Sequence, residues 1–134
     1  MRRAARGQRQ VSPGFRGLVA ADLDGLRAAL PGTSAVLACT TDGVVIACGQ
    51  DEPAAADLAA QSRRTNAAVG DGPFVEALSR TTDGLVAVYA AGPHALLAVV
   101  PGAEPNVGLL QLHARRAAAR IAELAHGERA GRAH

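Results

Sequence analysis

The feature that most constrains the fold is the stretch from Ser34 to Gly49, whose pattern predicts a β-hairpin. Two uncharged apolar runs, Ala35–Cys39 and Val44–Cys48, flank the tetrapeptide Thr-Thr-Asp-Gly. The Asp-Gly pair supplies the positive φ that a tight strand reversal needs. Because neither run carries a charge, we expect both faces of the hairpin to be buried in the middle of a sheet. The rest of the chain must therefore supply layers that cover both faces.

The flanking segments predict three helices and three further strands. A helix is expected over Gly17–Leu30, where apolar residues recur at spacings of three and four, and Pro31-Gly32 should end it. The other expected elements are a helix over Pro53–Val69, strands over Phe74–Arg80, Leu85–Ala91 and Ala95–Val100, and a helix over Asn106–Ala125. This order, α-β-β-α-β-β-β-α, predicts an α+β domain with one five-stranded, mainly antiparallel sheet flanked by helices.

The charge distribution predicts one folded domain between two tails. Residues 1–16 carry five arginines and no acid, whereas residues 17–125 carry seven arginines and eleven Asp or Glu. We therefore expect a disordered Arg-rich arm over 1–16, a domain over 17–125 and a disordered tail over 126–134. The arm would bind nucleic acid only nonspecifically, and the chain's two Phe and one Tyr offer no platform on which bases could stack.

The sequence carries none of the common catalytic patterns. It has no lysine, which excludes a Walker lysine and a Schiff-base amine, and an Ala-rich, Lys-free composition is typical of a high-GC genome such as an actinobacterial one. No serine lies in a nucleophile elbow, and the histidines and cysteines do not have metal-ligand spacing. We therefore expect a protein that is not an enzyme and needs no cofactor.

The sequence also predicts a cytoplasmic protein without a membrane span. The Arg-rich start lacks an apolar segment of the kind found in signal peptides, and the apolar stretch Gly84–Val100 is broken by Gly-Pro-His. A two-residue turn in the hairpin would place Cys39 opposite Ile46, and Cys48 opposite Leu37. The two thiols would then be diagonal neighbours roughly 7 to 8 Å apart, too far for an easy disulfide.

Two elements, the third strand and the second helix, look suited to contacts with other proteins. The third strand carries charge, which predicts a sheet edge, and Phe74, Glu76, Leu78 and Arg80 alternate onto one of its sides. Leu109 and Leu112 lie off the apolar stripe of the last helix, so its first half should be covered from two sides. The second helix has one small-residue face of Ala55, Ala59, Ser62 and Asn66, another of Ala56, Ala60, Arg63 and Ala67, and a polar line of Asp57, Gln61 and Arg64. Because alanine both permits close packing and favours helix formation, the pattern leaves open whether these faces form an interface.

The order of the elements and several stretches resemble the Roadblock or dynein light chain family. The stretches are Leu26–Gly32, AVLACTTDGVVIACG at 35–49, the Ala-rich helix from Pro53, DGLVAVYAAGPHALLAVV at 83–100 and PNVGLLQLHARRAAARIAEL at 105–124. The resemblance covers about Gly17 to Ala125. Each motif is degenerate, so the weight comes from the order of all of them.

The resemblance implies the strand order 2-1-5-4-3 and a homodimer in which third strands pair edge to edge and second helices pack together. It also implies binding of a small Ras-like GTPase, as a regulator or scaffold, with Asp57, Gln61 and Arg64 as candidate contacts. The candidate dimer contacts are Ala55, Ala59, Ser62, Phe74, Glu76 and Leu78. Two alternatives stay open: a small-molecule-sensing domain of the PAS or GAF kind, and a scaffold dimer without a GTPase partner.

Overall fold

The computed structural model describes residues 11–49, 52–68, 73–82 and 84–132. Within these ranges the chain forms three helices and five strands: α1 (Pro13–Ala29), β1 (Ala35–Thr40), β2 (Val45–Cys48), α2 (Glu52–Ala67), β3 (Glu76–Thr81), β4 (Gly84–Ala90), β5 (Ala95–Val100) and α3 (Val107–Arg132). The predicted order α-β-β-α-β-β-β-α is confirmed.

The five strands form one antiparallel sheet in the order β2-β1-β5-β4-β3. This is the strand order that the family resemblance implies, and it confirms that the third strand lies at an edge. Only one strand of the first hairpin lies in the middle of the sheet. The four central residues of β1 are buried, whereas β2 forms the second edge and is only partly buried.

The hairpin turn forms at the predicted Thr-Thr-Asp-Gly tetrapeptide. Gly43 has φ 90°, and its N–H donates to the carbonyl oxygen of Thr40 over 2.9 Å. The N–H of Thr40 donates to the carbonyl oxygen of Val44, also over 2.9 Å, while the Thr40 hydroxyl accepts from the N–H of Val44 over 3.1 Å. Glycine tolerates this left-handed conformation because it has no Cβ.

The register of the hairpin is only partly as predicted. Leu37 lies opposite Cys48, as expected, but Cys39 lies opposite Val45 and not opposite Ile46. A bulge shifts the ladder between Ala38 and Cys39. A bulge sets two residues of one strand against one of the other, so the register beyond it differs by one residue.

Two hydrophobic cores lie on the two faces of the sheet. Helices α1 and α3 cover one face, where their apolar stripes pack on side chains such as Val36, Tyr89 and Leu97. Helix α2 covers the other face and packs on Leu37, Cys39 and the neighbouring apolar residues of β4 and β5. The domain is therefore a three-layer α/β/α arrangement.

Two predicted helix ends are wrong, because both outer helices extend further. Ser12 caps α1 by accepting the N–H of Phe15 over 3.2 Å, so the helix begins at Pro13 and not at Gly17. Helix α3 continues past Ala125, and Glu128 Oε2 accepts the N–H of Ser12 over 2.9 Å. Residues 1–10 and 133–134 of the two predicted tails lie outside the described residues.

Across the described ranges, no helix combines the length and the apolar character needed to cross a membrane.

Candidate protein-interaction surfaces

The outer edge of β3 is one candidate surface. Every residue from Leu78 to Thr81 is exposed, and Val75, just before the strand, is 67% exposed. On one side, β3 pairs with β4 over six residues without interruption, from Glu76 opposite Tyr89 to Thr81 opposite Gly84. Among the described residues, no strand pairs with its other side. A regular exposed edge with apolar residues is a template for pairing with another strand.

An ion pair fastens β3 to helix α3. Arg115 donates from Nε to Glu76 Oε1 and from Nη2 to Glu76 Oε2, each over 2.9 Å. The hydrogen bonds and charge of Arg115 lower the pKa of Glu76 from 4.5, and Glu76 in turn raises the pKa of Arg115. Beside this pair, the Tyr89 hydroxyl donates to Gln111 Oε1 over 3.3 Å. Burial raises the pKa of Tyr89 to about 12.

Helix α2 turns one small-residue face inward. Ala55 is 1% exposed, and Ala59 and Ser62 are 0% exposed. The two alanines and Leu58 pack on the chain's own sheet, and the Ser62 hydroxyl donates to the carbonyl oxygen of Leu58 over 2.8 Å. The prediction that Ala55, Ala59 and Ser62 contact a second copy is therefore wrong, because all three are already buried within the chain's own fold.

The opposite side of α2 is open to solvent. The second small-residue face lies here, with Ala56, Arg63 and Ala67 exposed and Ala60 half-buried. The predicted polar line lies beside it: Asp57 and Arg64 are exposed and Gln61 is half-buried. We call these seven residues the outer α2 face.

Two of the candidate strand residues lie together, and the third does not. Glu76 and Leu78 lie opposite Tyr89 and Ala87, whose side chains belong to the core under α1 and α3. Phe74 precedes the strand and packs against the core under α2. The prediction that Phe74 shares a side with Glu76 and Leu78 is wrong, since the strand alternation starts only at Glu76.

The first turns of α3 expose apolar side chains that sequence analysis expected to be covered. Leu109 is 45% exposed and Leu112 is 43% exposed. The neighbouring stripe residue Val107 is 40% exposed, whereas Leu110 is buried. Within the described chain, then, only one side of this half-helix is covered.

Comparison with known proteins places this architecture in a family. Residues 19–101, from within α1 to the residue after β5, match the profile of the Roadblock/LC7 domain. The chain belongs to the Roadblock/LC7 domain family. The resemblance in the sequence motifs is thereby confirmed. No curated protein sequence matches the chain.

Solved structures share the fold of this Roadblock domain. An MglB structure with a tetrameric arrangement has a TM-score of 0.78 at 23% identity and covers 88% of this chain and 95% of its own. The gliding protein MglB from Thermus thermophilus has a TM-score of 0.71 at 22% identity, covering 87% and 95%. A Roadblock/LC7 domain from Streptomyces avermitilis has a TM-score of 0.63 at 23% identity, covering 74% and 93%. At these identities the likeness shows the fold.

The cysteines of this Roadblock domain are not joined by a disulfide. Cys39 is buried, and burial raises the pKa of its thiol to about 12, whereas Cys48 is exposed on the edge strand β2. Among the described residues, no group of three His, Cys, Asp or Glu side chains is placed to hold a metal ion.

A groove of about 300 Å³ lies where the start of α1 meets the end of α3. Its apolar wall includes Phe15 and Ile46, and its ionisable side chains are His94, Glu128 and Arg129. All three are exposed or half-buried. Ligand sites usually enclose a few polar groups within a largely apolar pocket. Because the polar side chains of this groove are open to solvent and not enclosed, the groove gives the small-molecule-sensor alternative no specific support.

Proposed function

We propose that this Roadblock domain is a cytoplasmic, non-enzymatic, dimeric regulator or scaffold that binds a small Ras-like GTPase. The observation that carries the proposal is membership of the Roadblock/LC7 family together with two exposed surfaces on different elements, the β3 edge and the outer α2 face. A protein that dimerises and also binds a second partner needs two such surfaces.

The β3 edge suits the contact between two copies. Strands at a free edge pair through backbone groups, so an identical strand is a ready partner. Exposed apolar side chains at Val75 and Leu78 add area that pairing removes from water. On helix α2, Ala55, Ala59 and Ser62 are buried, so the outer α2 face is the part of the helix that is free for a partner.

The outer α2 face suits a polar partner such as a GTPase. Asp57 and Arg64 are exposed and lie one above the other on the helix, at i and i+7, with Gln61 between them. In the described part of the chain neither charged residue has an ion pair. Opposite charges held on one rigid helix can pair with complementary charges of a partner and set its orientation.

The test is a binding titration against the small GTPase encoded nearest to this gene, loaded with GDP or with a GTP analogue. We expect nucleotide-dependent binding that Asp57→Arg and Arg64→Glu each weaken about tenfold, as expected for charges at the rim of an interface. Matched controls are Asp24→Arg and Arg116→Glu, exposed charges on the helices across the sheet, which should leave affinity unchanged.

GTP hydrolysis followed in the same samples separates a regulator from a scaffold. A change in rate establishes regulation and its direction, and unchanged hydrolysis with tight binding establishes a scaffold. Absence of binding in both nucleotide states would refute the GTPase proposal and leave a dimer without such a partner.

A further inference from the structure

The two edges of the sheet differ in their capacity to pair with another strand. Strand β2 is four residues long, and a bulge interrupts its ladder with β1. Strand β3 is six residues long, and its register with β4 has no interruption. Bulges twist an edge and hinder further pairing, whereas a regular strand presents evenly spaced donors and acceptors. The β3 edge is therefore the one that a further strand can extend.

The hydrogen bonds to β4 determine which backbone groups of β3 point outward. The N–H of Ala90 donates to the carbonyl oxygen of Val75 over 2.8 Å, which makes these two residues a hydrogen-bonded pair. Hydrogen-bonded pairs alternate along an antiparallel ladder, so Ala77 and Ser79 also bond toward β4. The backbone groups of Glu76, Leu78 and Arg80 consequently point away from the sheet.

Twofold symmetry restricts how two such edges can pair. In an antiparallel pair, side chains that lie directly opposite each other point to the same face of the sheet. Because side chains alternate between the faces along β3, the twofold axis cannot pass between two successive residues. It must pass through a residue that lies opposite its own copy. A register is named here by the residue that lies on the axis. Only the register centred on Leu78 lets the outward backbone groups of Glu76, Leu78 and Arg80 all bond to the same three residues of the second copy. Registers centred on Ala77 or Ser79 leave Arg80 or Glu76, respectively, opposite a residue outside the strand.

The side chains favour the same register. With Leu78 on the axis, Glu76 of each copy lies opposite Arg80 of the other, and the two partly exposed Leu78 side chains meet. Centring on Ala77 places Glu76 opposite Leu78, and centring on Ser79 places Arg80 opposite Leu78. Arg80 has no ion-pair partner among the described residues of its own chain.

We propose that, where the β3 edges pair in the dimer of the proposed function, Leu78 lies on the twofold axis and Glu76 and Arg80 fix this register. The inference rests on the dimer of the proposed function and specifies its geometry. Arg115 supports it by holding the Glu76 carboxylate in place through two hydrogen bonds. A carboxylate offers about four acceptor positions, of which Arg115 occupies two and the Gln111 side chain one, so one stays available to Arg80 of the second copy.

A cysteine scan measures the register directly. The variants Ala77→Cys, Leu78→Cys and Ser79→Cys are each made with Cys48→Ser, which removes the exposed native thiol. Directly opposed residues in a hydrogen-bonded pair have Cα atoms about 5.5 Å apart, within disulfide range, whereas diagonal neighbours are roughly 7 to 8 Å apart.

We expect Leu78→Cys to form a disulfide-linked dimer at least about tenfold faster under mild oxidation than the two flanking variants, because only its thiols lie directly opposite each other. Faster cross-linking of Ala77→Cys or Ser79→Cys would overturn the register, and so would absence of cross-linking in all three variants.

Charge exchange tests the roles of Glu76 and Arg80. Arg80→Glu sets like charges opposite each other, as does Glu76→Arg combined with Arg115→Glu, which keeps a reversed ion pair within the chain. We expect each variant alone to dimerise at least about tenfold more weakly than wild type. An equimolar mixture should recover a heterodimer, because every opposed pair is then of opposite charge.

These outcomes separate the register from the proposed function. If wild type is a dimer and both charge variants dimerise equally well, the register is wrong while the dimer stands. If wild type is a monomer at micromolar concentration, the dimer and its register both fail. Binding to the GTPase is measured independently of either result.

Discussion

Replacing Ala59 with arginine tests the packing of α2 on the sheet. Ala59 is fully buried between its helix and β-strand side chains that include Leu37 and Cys39. A buried, unpaired guanidinium costs several kcal/mol, and the extra side-chain volume adds about 1 to 3 kcal/mol. We therefore expect Ala59→Arg to lower the free energy of unfolding by about 5 kcal/mol, a large part of the roughly 5 to 15 kcal/mol of a typical domain.

The matched control is Ala56→Arg on the exposed side of the same helix. It introduces the same side chain with the same helix propensity, so its effect should stay within about 0.5 kcal/mol. Urea unfolding followed by circular dichroism measures both. With about 2 kcal/mol per molar urea for a small domain, the Ala59→Arg midpoint should fall by roughly 2 to 3 M. Equal midpoints for the two variants would refute the inward orientation of this face.

Three further predictions concern the ionisable groups. The Glu76 carboxylate has its pKa lowered from 4.5 chiefly by the hydrogen bonds from Arg115, so the stability lost in Arg115→Ala should be largest above about pH 4.5. That loss should fade as the pH drops through the lowered pKa, and urea titrations that show the same difference at every pH would contradict it. Tyr89 is the only tyrosine, so ultraviolet absorbance should show one phenol titrating near pH 12, and a midpoint near 10 would mean that its hydroxyl is solvated. A thiol reagent should label Cys48 rapidly in the folded protein and Cys39 only after unfolding; rapid labelling of both would contradict the burial of Cys39.

The strands were the most predictable part of the fold. The Thr-Thr-Asp-Gly turn required a reversal at one place, and charge in the segment from Phe74 to Arg80 correctly indicated an edge. The hairpin register was only half predictable, because a bulge such as that beside Ala38 depends on how the strands pack on both cores. The order of these degenerate elements, more than any single motif, identified the family.

The helix ends were less predictable because opposing local signals compete. Ser12-Pro13 is a good helix start, yet the Arg-rich composition around it favoured a disordered arm. Gly127 disfavours a helix interior by about 1 kcal/mol relative to alanine, which favours a helix end before it. Glu128 accepts a hydrogen bond from the backbone N–H of Ser12, so the added residues at the end of α3 contact the start of α1. Because the two residues are far apart in the sequence, neither segment alone predicts this contact.

The choice of buried face on α2 was the largest error at the candidate site. Both small-residue faces are rich in alanine, so neither composition nor propensity distinguishes them. Leu58 carries the decisive signal, since it lies on the same side as Ala55, Ala59 and Ser62 and packs with the two alanines in the core. A single large apolar residue orients such a helix, and the exposed face that remains is the one available to a partner.

The central claim, a dimer that binds a small GTPase, is tested most directly by light scattering during size-exclusion chromatography. We expect the 13.6 kDa chain, run without the GTPase, to have twice its own mass. We also expect a heavier complex when the GTPase is added in one nucleotide state and not in the other. A mass of 13.6 kDa for the chain alone, together with no complex in either nucleotide state, would contradict both the dimer and the GTPase complex.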